Sequence, residues 1–116
     1  VPQYLIAIHH PDGYDGSKES PDMARDIDAL NDDIVAAGAR VFVGGLHPAQ
    51  AAKGWRLNPS GGVDAFDGPY FEIDEHVGGF RVIEAASMDH AVEWERRAAL
   101  ACRAPVEVRQ FYEGRA

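Results

Sequence analysis

The segment Tyr4-Leu5-Ile6-Ala7-Ile8 constrains this chain more than any other, because it is apolar at every position. Successive side chains of a strand point to opposite faces, so a strand with one wet face alternates and a strand covered on both sides does not. The segment therefore reads as a central strand with cover above and below. Arg40 to Leu46, with Val41-Phe42-Val43 at its centre, reads as a second buried strand. Only two amphipathic helices are available to cover them. The first opens at Ser20-Pro21, with Ser as N-cap and Pro at the first helical position. It carries Met23, Ile27, Leu30, Ile34 and Ala37 along one face and stops before Gly38. Ser87 caps the second, which turns Met88, Ala91, Trp94, Ala98 and Ala101 or Cys102 inward and sets Glu93 and Arg97 i,i+4 on its outer face.

Weaker strands are expected at Ala51 to Leu57 and Val63 to Phe66, joined by the hairpin-like turn Asn58-Pro59-Ser60-Gly61-Gly62. Phe80 to Glu84 is the next strand, and after the break at Pro105 a last one runs from Val106 to Phe111. The polar stretch His10 to Glu19 reads as a loop long enough to form a lid. The order is βα, then β with an inserted hairpin, then βαβ. That is an α+β ferredoxin-like sandwich, an antiparallel sheet with two helices on one face. Two helices leave the other face bare, and the simplest cover for it is a second copy stacked sheet to sheet, so a homodimer is expected.

Length and charge narrow the classes of function. A chain of 116 residues, read as one domain over 1–116, buries a core without disulfide or metal staples. The net charge is −8 and the eleven basic residues are scattered apart from Arg96-Arg97, which argues against nucleic acid. No apolar run approaches the ~20 residues that span a bilayer, so no membrane partner is expected. No secretory leader opens the chain, the start at Val1 reads as loss of an initiator Met, and the lone Cys102 fits a reducing compartment; the expected location is the cytoplasm. Cys102 lacks the positive, helix-N-terminal setting of a reactive thiol. The aspartates Asp22, Asp26, Asp28, Asp32 and Asp33 read as a solvated helix face. Gly61-Gly62 and Gly78-Gly79 have neither a P-loop lysine nor dinucleotide-binding spacing, so no nucleotide cofactor is expected.

The candidate chemistry gathers around one turn. Asp67-Gly68-Pro69-Tyr70, followed by Glu72 and then Gly78-Gly79-Phe80, presents a carboxylate, a phenol and a second carboxylate at a sheet edge. His47 lies in Gly44-Gly45-Leu46-His47-Pro48, just past a strand. Within hydrogen-bond reach, Asp67 would orient the imidazole and raise its pKa, making a general acid or base. The plainer reading is that His47 ends a strand and Asp67 builds its turn. In His9-His10-Pro11-Asp12 the two histidines face opposite ways, His9 with Leu5 and Ala7, His10 with Tyr4, Ile6 and Ile8. His9 or His10 with Asp12 and His47 has the ligand types of a zinc or iron site, yet no His-x3-His spacing supports one and no metal is expected. Glu72, Asp74, Glu75 and His76 read as an acidic, solvated loop.

The turn, its acidic follower Glu72 and the Gly78-Gly79-Phe80 run resemble the DGPF-type branch of the YCII-related proteins, with Tyr70 in place of the usual Phe. The resemblance extends from Tyr4-Leu5-Ile6 through Gly44-Gly45-Leu46-His47-Pro48 to Pro105-Val106-Glu107-Val108-Arg109. It implies a ferredoxin-like dimeric α/β-barrel and a His–Asp pair in acid/base work. The histidine that many members carry on the first helix has no counterpart in residues 21–38, so the matched positions are His47 and Asp67. One expected function is a small cofactor-independent enzyme, with His47 and Asp67 catalytic and His9, Tyr70 and Glu72 holding a small metabolite. The other is a ligand-binding or accessory module, since DGPF-type proteins are often associated with extracytoplasmic-function sigma factors.

Overall fold

A computed structural model describes residues 1–114; the last two residues of the expected 1–116 unit lie outside the described residues. The elements in chain order are β1 (Gln3–Pro11), α1 (Pro21–Ala36), β2 (Arg40–Gly45), β3 (Lys53–Leu57), β4 (Val63–Asp67), β5 (Glu75–Glu84), α2 (Met88–Cys102) and β6 (Val106–Gln110). Short 3-10 turns occupy Gly16–Lys18 and Ala49–Ala51. Four strands form one antiparallel sheet in the order β2-β5-β1-β6, and β3 and β4 form a separate two-stranded ribbon. The fold is ferredoxin-like α+β, as the element order predicts. Among the described residues no helix is long and apolar enough to cross a membrane.

The helices start where the side chains cap them. Ser20 Oγ accepts from the Met23 amide at 3.1 Å and Ser87 Oγ from the His90 amide at 3.2 Å, which satisfies amides that have no partner inside the helix. Gly38 follows α1 with φ +69, the left-handed conformation that closes a helix cheaply only in glycine. Both helices pack on one face of the sheet. Leu30 and Ile34 of α1 and Ala91, Ala98 and Ala101 of α2 enclose Tyr4, Ile6 and Ile83. Small residues on α2 let it approach closely, and Tyr4 and Ile6 from the central strand fill the middle. Arg97 donates to Asp33 (2.6 Å) and Arg103 to Asp26 (3.1 Å), tying the two helices on their wet side.

Several local expectations are corrected. Arg40–Gly45 is an edge strand rather than a buried one, with Phe42 51% exposed, because β5 pairs on one side of it only. Met88, the first residue of α2, and Ala37, just past the end of α1, are exposed rather than turned inward. Arg97 reaches Asp33 instead of Glu93, which pairs with Arg96 at 3.3 Å. The last strand stops at Gln110, and β3 begins at Lys53 because Pro48 leads into the Ala49–Ala51 turn. β5 begins at Glu75, five residues before the expected Phe80, so Glu75 and His76 belong to a strand and not to a loop. β1 likewise runs on through His10 to Pro11.

Two features leave apolar surface outside. Leu5 and Ala7 of β1 pair with Val82 and Phe80 of β5, and Phe42 of β2 sits beside Val82, all on the face away from the helices. The Phe42 and Phe80 rings meet there at 5.7 Å. The β3–β4 ribbon projects as an arm whose odd-numbered side carries Trp55, Leu57 and Val63, with Trp55 71% and Leu57 74% exposed. The radius of gyration of the described chain, 16.3 Å, exceeds the about 13 Å of a compact chain of this length.

Candidate functional site

The site lies where β1, β2 and β5 end together. Opposite Ile8 and His9, the pairing of β1 with β5 slips by one residue, from Gly79 to Val77, and leaves Gly78 as a β-bulge. Gly78 is glycine for a spatial reason. A Cβ there would come 2.1 Å from His10 Cδ2, so the imidazole lies across bare backbone. Beyond Pro11 the chain turns at Gly13, with φ +79, and the Tyr14 amide returns to the Pro11 carbonyl at 3.1 Å. The turn lays the Tyr14 ring flat on His10, with centroids 3.9 Å apart and planes 3° apart. The Tyr14 hydroxyl donates to the Glu19 carboxylate. Asp15 caps the following 3-10 turn through Ser17. On the other side the Leu46 amide donates to the Gly78 carbonyl at 2.9 Å, which places His47 and Pro48 at the rim.

These segments enclose a cavity of about 480 Å³, open on one side, to which His10, Asp12, Tyr14, Glu19, His47 and His76 contribute polar side chains. Leu46, Pro48, Ala49 and Val77 supply apolar wall, and among the described residues no lysine or arginine lines it.

A His–Asp pair is present, formed by His76 and Asp12. His76 Nδ1 lies 2.8 Å from Asp12 Oδ1, and Nε2 lies 3.0 Å from the Phe71 carbonyl oxygen. Both partners are acceptors, whereas a neutral imidazole has only one N–H. Hydrogen bonds to Phe71 and then Asp12 accordingly push the His76 pKa up and favour the doubly protonated ring. His10 shifts the other way. Burial pushes its pKa down, with Glu19 opposing and His9 reinforcing. Burial, then the bond to Glu19, pushes the Tyr14 phenol up to about 12, so it remains a donor at neutral pH.

The residues singled out from sequence are placed as follows. His47 is exposed at the cavity rim and makes no hydrogen bond among the described residues. Asp67 ends β4 and accepts from Lys53 Nζ at 2.8 Å at the base of the arm. Tyr70 packs on Phe66 and Phe71, and with Phe66 it forms a platform under the Arg56 guanidinium. Glu72 is exposed beyond it. Asp67, Tyr70 and Glu72 are not among the lining residues. His9 faces away from the helices, its Nε2 3.3 Å from Glu107 Oε1 but out of line for a hydrogen bond and sealed from solvent. Among the described residues no three His, Cys, Asp or Glu side chains are grouped to hold a metal ion. Cys102 is buried, and desolvation pushes its thiol up despite the nearby Arg81 charge.

Sequence reasoning missed the His76–Asp12 pair and the Tyr14–Glu19 pair. The pairs join residues 64 and 5 positions apart. The Gly78-Gly79 step inside an otherwise strand-like run was the available signal, since glycine in a strand marks a bulge or a close approach.

A family model described as a YCII-related domain matches residues 5–113. A protein of Rhizobium meliloti (strain 1021), named "Uncharacterized protein R00369", is 36% identical over 81 residues, covering 69% of this chain and 64% of that protein. The chain thus spans just under two thirds of that relative's length.

Proposed function

This chain belongs to the YCII-related domain family, and we propose from its own geometry that it binds a small metabolite in this cavity and exchanges a proton with it. The carrying observation is the cavity itself. A space of about 480 Å³ falls in the range of small-molecule sites, ~300–1,000 Å³, and its titratable groups have pKa values pushed apart, the arrangement acid–base chemistry uses. His47 at the rim is the acid–base group of this reading, free to meet a ligand. Asp12 and His76 hold the wall in shape. For Asp67 to orient His47 it would have to leave Lys53, and Tyr70, Glu72 and His9, which lie outside the lining, would have to move to hold the metabolite. The absence of lysine and arginine from the wall favours a neutral or cationic metabolite over a phosphate or polycarboxylate. No cofactor is needed for a proton exchange of this kind.

The test is a thermal-shift screen of small metabolites on the purified protein, since a ligand that binds only the folded state raises its melting temperature. A hit should lose turnover, but not binding of the apolar portion, in His47→Ala. Unchanged turnover in that variant sinks the role of His47, and a library that never shifts the protein sinks the site.

A second reading is favoured by the exposed arm, in which the same fold serves as a docking or accessory module. Both readings include a homodimer. Phe42, Trp55, Leu57, Val63, Tyr70 and Phe71 are each more than half exposed. At ~150–250 Å² for a large aromatic, they offer roughly 800 Å², about what each partner buries in a stable interface. The bare sheet face and the arm are the surfaces a second copy would cover.

A further inference from the structure

Of the five histidines, His10 alone combines a fixed ring with nitrogens that nothing among the described residues uses. His76 spends both nitrogens on Asp12 and Phe71. His9 is sealed against Glu107 on the opposite face. His47 and His90 are exposed; His47 is unpinned, and His90 lies beside Trp94 on the outside of α2. His10, in contrast, is held from two sides, by the bare backbone of Gly78 beneath it and by the Tyr14 ring stacked on it. Neither of its ring nitrogens makes a hydrogen bond among the described residues, and neither is closed off from the cavity that His10 lines. An imidazole that the fold immobilises and then leaves without a partner is preorganised for something outside the protein.

We infer that His10 is a second acid–base residue of this cavity beside His47, the one that takes the substrate's proton, with Tyr14 and Glu19 as its positioning residues. The inference rests on the cavity being a ligand site. In the step, an acidic C–H or O–H bond of the bound metabolite breaks, its electron pair stays on the metabolite, and the proton forms an N–H bond on His10. The proton is afterwards returned to the metabolite or to water. Burial keeps the resting ring neutral and ready to accept. The Glu19 carboxylate, locked in place by the Tyr14 hydroxyl, then favours the imidazolium that forms. The other titratable groups around the ring are His9 next in the chain, His76 paired across from it on β5, and His47, Asp12 and Asp15 on the cavity wall.

The test needs no known substrate. Diethyl pyrocarbonate acylates only neutral imidazoles with an accessible nitrogen, and peptide mass spectrometry reads each histidine of the intact protein separately. Across a pH series, His10 should react with a midpoint below that of a histidine in a short unstructured reference peptide added to the same tube, and so remain more reactive relative to it in mildly acidic buffer. Glu19→Gln should move the His10 midpoint further down, a shift that a purely structural Glu19 would not produce. The inference is overturned if His10 resists acylation even in alkaline buffer, if it shares the midpoint of the reference peptide, or if Glu19→Gln leaves its midpoint unmoved. A metabolite screen without hits sinks the ligand site and leaves this ordering of reactivity standing. An ordinary His10 sinks the proton acceptor and leaves ligand binding standing.

Discussion

His76 is bonded through Nδ1 to Asp12 Oδ1 at 2.8 Å, and it closes the end of β5 onto the turn that follows β1. Its other nitrogen holds the Phe71 carbonyl at 3.0 Å, so one ring joins the cavity wall to the root of the arm. The bridge is made by the protonated ring, and its strength must follow pH.

The first prediction is the sign of that dependence. Because the bonds to Phe71 and Asp12 raise the His76 pKa in the folded state, the stability it contributes is fully present below the unfolded value of ~6.5. It is lost as pH rises through the raised folded value. The difference in melting temperature between wild type and His76→Gln should be largest in mildly acidic buffer and fade in alkaline buffer. A difference that grows toward alkaline pH would refute the clasp.

Gly78→Ala should disturb the cavity more than the fold. The new Cβ would meet the His10 ring, and relieving such overpacking costs about 1–3 kcal/mol. Urea titration should register that loss, while NMR shifts of His10 and Tyr14 should report that the stack has opened. An intact stack would mean that β5 moves instead of the ring.

Core truncation should separate the helix face from the wet surface. Leu30, 1% exposed, touches the central cluster, and Leu30→Ala should cost about 2–5 kcal/mol. Leu100→Ala, on an exposed position of α2, should stay within about 0.5 kcal/mol. Equal effects in denaturant melts would place the core elsewhere.

The homodimer is tested by mass in solution. Light scattering should give the mass of two chains for wild type, and Phe42→Asp, which charges the bare sheet face, should shift the balance to one chain. Trp55→Ser with Leu57→Ser does the same for the arm. A wild-type monomer at high concentration would remove the dimer from both functional readings.

Much of the fold was legible because its determinants are local. Ser20-Pro21 and Ser87 announce helices through hydrogen bonds closed within three residues, and the spacing of Met23, Ile27, Leu30 and Ile34 marks the buried face directly. β5 reads short because Gly78-Gly79 looks like punctuation, and β2 reads as buried because its apolar composition does not say how many neighbours a strand has. The site was less legible. His47 and Asp67 were chosen from motifs read along the chain, whereas the contacts that build the cavity wall cross from one sheet end to another.

What the amino-acid sequence determined by itself is the set of elements, their order and the ferredoxin-like topology that follows from it. Periodicity, capping and turn chemistry act over a few residues and survive without knowledge of the rest. Only the tertiary structure decided which carboxylate meets which histidine. Asp12 rather than Asp67 reaches an imidazole, and His76 rather than His47 receives it, because strand register and a single bulged glycine set those distances. A one-residue slip in pairing reorients every side chain beyond it, and no local pattern in the chain encodes that slip.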